Sequence, residues 1–148
     1  MSLEVEVATE NARVPLSRQR IKDIARDVLR SERVRNALVS ITFVDRRRIT
    51  ALNRRHLGRR AATDVIAFGF SRASAADPVV GDVYIAPEVA RDNARARGIA
   101  ARQEITRVVV HGLLHVLGFD HPDNEAREQS PMWVRQERLV RRVARGTT

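Results

Sequence analysis

Cysteine is absent from this 148-residue chain, lysine occurs once, at Lys22, and only six residues are aromatic. Without cysteine no disulfide framework can form and no thiolate is on hand for a metal, so any metal falls to histidine and oxygen donors. Most of the rings (Phe43, Phe68, Phe70, Tyr84 and Trp133) sit where the pattern reads as core, so base stacking of the kind used by RNA-binding sheets is expected to contribute little. No run approaches the roughly 20 apolar residues of a membrane span. The opening residues, MSLEVEVATEN, are acidic where a secretory signal is basic and then apolar. The expectation is a soluble, cytoplasmic protein with no membrane partner.

What the chain has in quantity is arginine. Of 27 Lys+Arg all but Lys22 are arginine, against 18 Asp+Glu, giving a formal charge of +9. The planar guanidinium suits phosphates and carboxylates, so a polyanionic partner is one reading, and a composition that uses arginine wherever a cation will do is the other. With 43% apolar residues and a length that hides roughly 68–70% of the unfolded surface, the chain can build one core without a staple.

The hydrophobic periods set out the elements. Leu3, Val5 and Val7 alternate with Glu4, Glu6 and Ala8 as in a half-buried strand. Ser17 caps a helix whose Ile21, Ile24, Ala25, Val28 and Leu29 form one stripe, ending near Arg33. The run ALVSITFV, Ala37 to Val44, reads as an interior strand covered on both faces. Asp45 then caps a short basic helix, Arg46 to His56, with Gly58 as its C′ residue. Thr63–Phe70 and Val79–Ile85 are two further strands. Pro87 opens a third helix that Gly98 stops, and a fourth runs from about Ala101 to Leu117. That fourth helix is apolar around more than one face, as expected of a central buried helix. Ser130 and Pro131 start a fifth, with Gly146 at its close.

Three of the four histidines lie in HGLLHVLGFDH, His111 to His121. On a helix His111 and His115 project from one face a turn apart, and Gly118 lets the chain turn back to bring His121 to the same point. Three imidazoles leave a tetrahedral Zn²⁺ one open position, the arrangement of a catalytic site; nickel and copper also accept imidazoles, but zinc is the default. The spacing matches the metzincin ligand pattern, except that Gly112 stands where a peptidase carries its glutamate base. Asp120, beside His121, is either a carboxylate that orients a ligand or relays a proton, or a turn residue. His56 reads as a half-buried ring at the end of the second helix and not as a fourth ligand.

HGLLHVLGFDH resembles the H-G-x-L-H-L-x-G-Y-D-H signature of the YbeY proteins, bacterial rRNA maturation factors and single-strand endoribonucleases. The likeness extends to Leu52-Asn53, Thr63-Asp64-Val65-Ile66, Gly81-Asp82-Val83, Glu88-Val89-Ala90 and Glu104, and so covers the chain from about Leu38 to Leu139. It implies an α/β (α+β-like) fold, a single domain over residues 1–148. In that fold a mixed four-stranded sheet is packed by about five helices, with a zincin-like metal helix. It also implies one Zn²⁺ on His111, His115 and His121, work on ribosomal RNA near the 3′ end of the small-subunit species and in ribosome quality control, and partners among small-subunit proteins and an assembly GTPase. The chain departs from the family at Leu57, where an arginine thought to touch RNA is usual, at Ala67 and Gly69 in place of Ser and Pro, and at Phe119 in place of Tyr.

Seven arginines crowd the second helix and its exit: Arg46, Arg47, Arg48, Arg54, Arg55, Arg59 and Arg60. A segment bearing them is expected to face the metal cleft and follow an RNA backbone electrostatically, with Arg55, Arg59 and Arg60 as candidate contacts. Arg135, Arg138, Arg141, Arg142 and Arg145 on the last helix are expected to be partly balanced by Glu137. The leading reading is a zinc-dependent ribonuclease of ribosomal, single-stranded RNA, its general base open. The alternative is a non-catalytic ribosome-assembly factor whose zinc is structural or vestigial. A metzincin-like peptidase ranks last, because Gly112 cannot act as a base.

Overall fold

The computed structural model describes residues 2–58, 63–121 and 125–145. Four strands, β1 (Leu3–Glu10), β2 (Ala37–Val44), β3 (Val65–Phe70) and β4 (Val79–Ile85), form one sheet in the order β1-β2-β4-β3. β1 pairs parallel with β2 and β2 parallel with β4, while β3 and β4 are an antiparallel hairpin, so the sheet is mixed. The helices are α1 (Arg18–Ser31), α2 (Arg46–Leu57), α3 (Pro87–Arg97), α4 (Ala101–Val116) and α5 (Pro131–Arg145), with a 3-10 turn over Glu125–Gln129.

The start signals act as the sequence indicates. Ser17 Oγ accepts from the Arg20 N–H at 3.0 Å, Asp45 Oδ1 from Arg48 N–H at 2.8 Å, and Ser130 Oγ from Trp133 N–H at 3.2 Å. Gly58 ends α2 in the left-handed region at φ 67, the conformation its missing Cβ permits. Gly146 lies outside the described residues. α1 ends at Ser31, two residues short of the expected stop, and β3 starts at Val65, two residues after Thr63.

One face of the sheet carries Val5, Val7, Ala37, Val39, Ile41, Phe43, Val83 and Ile85, all buried. α1 and α4 lie on that face, and α3 and α5 pack in turn on α4. The other face is covered only at one end, where Ile49 and Leu52 of α2 meet Val44, Ile66 and Ala86. β2 is therefore interior in the sheet but not covered on both faces along its length: Leu38 is 48% exposed, because α1 and α4 lie on the opposite side and α2 reaches only the far end of this face. Leu38 pairs with Val80 and Val80 with Phe70, so Phe70, 59% exposed, belongs to that open face and not to the core.

α4 comes unusually close to the sheet. A Cβ on Gly112 would lie 2.6 Å from Val83 Cγ1, and one on Gly81 2.5 Å from Val116 Cγ1, so the contact depends on bare glycine backbone from both sides. This close seating fixes the C-terminal half of α4, the part that carries the first two histidines.

Candidate metal centre

His111 and His115 lie four residues apart on α4 and present their rings one turn above the other. The helix stops at Val116, Gly118 takes φ +98, and the Phe119 N–H returns to the Leu114 carbonyl at 3.0 Å. The Asp120 carboxylate then accepts from the His121 backbone N–H at 2.9 Å, holding the turn that folds His121 back over the helix end. The three ring centroids end 4.6, 5.0 and 5.0 Å apart.

His111 Nε2 and His115 Nε2 face each other at 3.1 Å, and one nitrogen from each of the three rings lies within 4.8 Å of the others. Two nitrogens bound to one tetrahedral zinc at 2.0–2.1 Å would be about 3.3 Å apart, close to the observed pair. The donor set, three imidazoles and no thiolate, fits zinc. Burial pushes the His111 imidazole down to about 3, against the opposing pull of its hydrogen bond to Gln136. His115 is also lowered, by burial and then by the charge of His121, with Asp120 working the other way. Both rings are neutral at physiological pH, the form that can donate a lone pair.

The tautomer of His111 is set from α5. The fully buried Gln136 places Oε1 2.6 Å from His111 Nδ1, while its Nε2 donates to Glu137 Oε2 at 3.1 Å. An amide oxygen only accepts, so Nδ1 carries the proton and Nε2 keeps its lone pair toward the other rings. The Glu137 carboxylate that orients the amide is itself gripped by Arg107 through Nε and Nη2, each at 2.9 Å, and Arg107 Nη1 reaches the buried Glu104 at 2.7 Å. Burial works to raise Glu137, yet hydrogen bonds from Arg107 and Gln136 hold its carboxyl below the usual range, so it is the acceptor this arrangement needs. The expected balancing of the last helix is thus different in detail: Glu137 is engaged by Arg107, and Arg135 grips Glu32 with 2.8 and 2.9 Å contacts.

The rings open into a cleft of about 330 Å³ lined also by Asn53, Asp64, Asp120 and Arg127. Asp64, just before β3, has its carboxyl raised by burial and by the charge of Glu104, with Arg127 and a 3.3 Å hydrogen bond from Asn93 opposing. Its protonated form is therefore favoured more than in an exposed aspartate. Asp120 caps the turn through the His121 N–H and also lines the cleft.

The arginine-rich helix does not supply the cleft as expected. α2 contributes Asn53, its buried C-terminal-half residue, whereas Arg54 and Arg55 point to solvent and Arg46 pairs with Asp92. The apolar stripe of α2 is turned to Ile66 and Val44, which leaves its cations on the far side. Arg59 and Arg60 lie outside the described residues. Among the described residues the arginine that lines the cleft is Arg127, from the 3-10 turn that follows the His121 segment, a stretch with no apolar period to signal it. His56 is exposed and meets Phe68 edge-on at 5.1 Å, away from the three rings' cleft.

Residues 5–144 match the family described as Endoribonuclease YbeY. An endoribonuclease YbeY of Syntrophus aciditrophicus is 31% identical over 142 residues, 94% of this chain and 89% of that protein. One of Geobacillus kaustophilus is 37% identical over 115 residues, 72% of each. A protein of Thermotoga maritima, solved in solution, superposes with a TM-score of 0.62 at 21% identity, covering 96% of this chain and 90% of the other, a likeness of fold.

Proposed function

The chain belongs to the YbeY family, and from that premise we propose that it is a zinc-dependent endoribonuclease of single-stranded RNA. The observation that carries the reading is the convergence of His111, His115 and His121, with a tautomer fixed by Gln136, on a cleft that also holds Asp64 and Arg127. Zinc, when bound, supplies a positive charge that polarises the scissile phosphate and acidifies water. His111, His115 and His121 are the residues that would hold it.

The remaining residues do the rest. Arg127 offsets charge on a phosphate entering the cleft, and the Asn53 amide lines the same cleft as a neutral polar group. RNA is cut either by its own 2′-hydroxyl or by water, and both routes need a group that takes a proton. The Asp64 carboxylate is suited to that task by its place in the cleft and its raised pKa. Gly112 supports this chemistry over peptide hydrolysis: a side chain there would be driven into Val83, so no glutamate base can stand next to His111.

Within RNA, the family resemblance supports ribosomal RNA near the 3′ end of the small-subunit species, processing and quality control in the cytoplasm, and association with small-subunit proteins and an assembly GTPase. A second reading, a non-catalytic assembly factor, is favoured by Leu57 at the family's arginine position and by the absence of α2 arginines from the cleft among the described residues. The test is cleavage of single-stranded RNA by the native protein and by His115→Ala, with zinc content measured for both. Loss of zinc and cleavage together is expected. Equal cleavage by the two proteins overturns the metal-centred mechanism, and subunit binding that survives without any cleavage favours the second reading.

A further inference from the structure

Beside the metal cleft lies a second cavity of about 400 Å³, between α3, the 3-10 turn and the start of α5. Thr63, Asp64 and Arg127 line both spaces, so the two adjoin, with Arg127 at their common border. The far side of the second cavity is built by Trp133, the chain's one tryptophan, together with Arg97, Val89 and Asn93. Trp133 is half-buried and not a core residue, and the Arg97 guanidinium lies over its ring at 5.5 Å from the centroid.

We propose that this cavity is a subsite for one unpaired nucleotide of the RNA strand, next to the nucleotide whose phosphate is cut; the inference rests on the ribonuclease reading of the adjoining cleft. The volume lies within the range of small-molecule sites, about 300–1,000 Å³. An indole ring and an arginine plane are the two surfaces on which proteins stack splayed bases, and here Arg97 lies over the Trp133 ring in the same cavity. The ion pair of Arg97 with Glu128 is long, 3.8 Å, with 41% and 64% of the two side chains exposed, so a phosphate can take the cation over. Arg127 Nε is buried and has no hydrogen-bond partner among the described residues, which leaves one N–H of that guanidinium unmatched at the border of the two spaces. The Asn93 amide, directed at Asp64, provides a polar edge close to the stacking surface.

Because Trp133 is the only tryptophan, its fluorescence reports on the subsite directly. The metal-stripped full chain is titrated with a short single-stranded oligonucleotide carrying 2′-O-methyl riboses, and affinities are read in parallel from a fluorescent label on the oligonucleotide. Saturable quenching of Trp133 is expected with no metal present, so failure of the metal-centred mechanism would not mimic failure of the subsite. Trp133→Leu is expected to bind roughly ten-fold or more weakly, with Trp133→Phe largely restoring affinity. Thermal melts of both variants separate this effect from lost folding. Arg97→Gln should weaken binding and flatten its salt dependence. The proposal is overturned if duplex RNA or inorganic polyphosphate quenches Trp133 as well as the single strand does, or if a folded Trp133→Leu binds like the native chain.

Discussion

Replacing Gln136 with methionine keeps the volume and removes the acceptor for His111 Nδ1–H, so it isolates the claim that α5 sets the ligand's tautomer. Gln136 is 1% exposed and its oxygen sits 2.6 Å from Nδ1, so no water can substitute for it. An orphaned buried donor costs about 1–3 kcal/mol, which for a chain of this size is a fall in Tm of roughly 3–10 °C. Losing the group that orients a ligating histidine weakens metal binding by about 10–100-fold. Zinc affinity, measured by competition with a chromophoric chelator, should fall in that range for Gln136→Met. Gln136→Glu should separate the two effects: its carboxylate still accepts from Nδ1 and retains zinc, but beside Glu137 it lowers the Tm. Zinc affinity of Gln136→Met within two-fold of native would refute the positioning argument, whatever the melt shows.

Gly112→Ala offers a test by sign. Helix propensity alone would make it stabilising by up to about 1 kcal/mol, but a Cβ 2.6 Å from Val83 Cγ1 forces α4 off the sheet and should cost a net of about 1–3 kcal/mol; a raised Tm would contradict the packing described. Adding Val83→Ala should recover part of the loss, a non-additivity read from the double-mutant cycle. Asp64→Asn tests the buried carboxyl. Its native pKa is raised, so the native state binds that proton more tightly than the unfolded chain, and the stabilisation is present below 3.8 and lost as pH rises through the native value. In metal-free protein Asp64→Asn should therefore be more stable than native near neutrality, with the gap closing in acid, and parallel Tm–pH curves would refute the desolvation. Its RNA cleavage should be abolished. Arg107→Met leaves Glu104 and Glu137 unpaired in a largely buried setting and should cost about 3–5 kcal/mol in a denaturant titration; a loss under 1 kcal/mol would show the network to be idle.

The elements that carry the site were legible because local rules fix them. Period-two and period-3.6 patterns located four strands and five helices. Ser17, Asp45 and Ser130 cap as their residue types require, and the His111–His121 spacing brings three rings together. What was not legible depends on which element lies against which. ALVSITFV has the composition of a strand covered twice, but α1 and α4 lie on one side and α2 reaches only one end of the other, so Leu38 is left to solvent. The arginines of α2 were conspicuous by number, yet a stripe of Ile49 and Leu52 turned them outward. Arg127 and Trp133 carried no periodic signal, one in a 3-10 turn and the other on the half-buried side of α5, so only the tertiary packing reveals that they border one depression. The Gln136–Glu137–Arg107–Glu104 chain was invisible for the same reason: the Arg107–Glu137 bonds that hold it together join α4 to α5 across 30 residues of sequence.

The central claim is that one metal ion, held by His111, His115 and His121, makes this cleft a ribonuclease site. The most direct measurement is a stoichiometric titration of metal-stripped protein with zinc, following cleavage of single-stranded RNA at each addition. The account predicts no cleavage at the start, a linear rise that saturates at one equivalent, and no response from His111→Ala or His121→Ala. Undiminished cleavage by the stripped protein, or a full response from either variant, would contradict it.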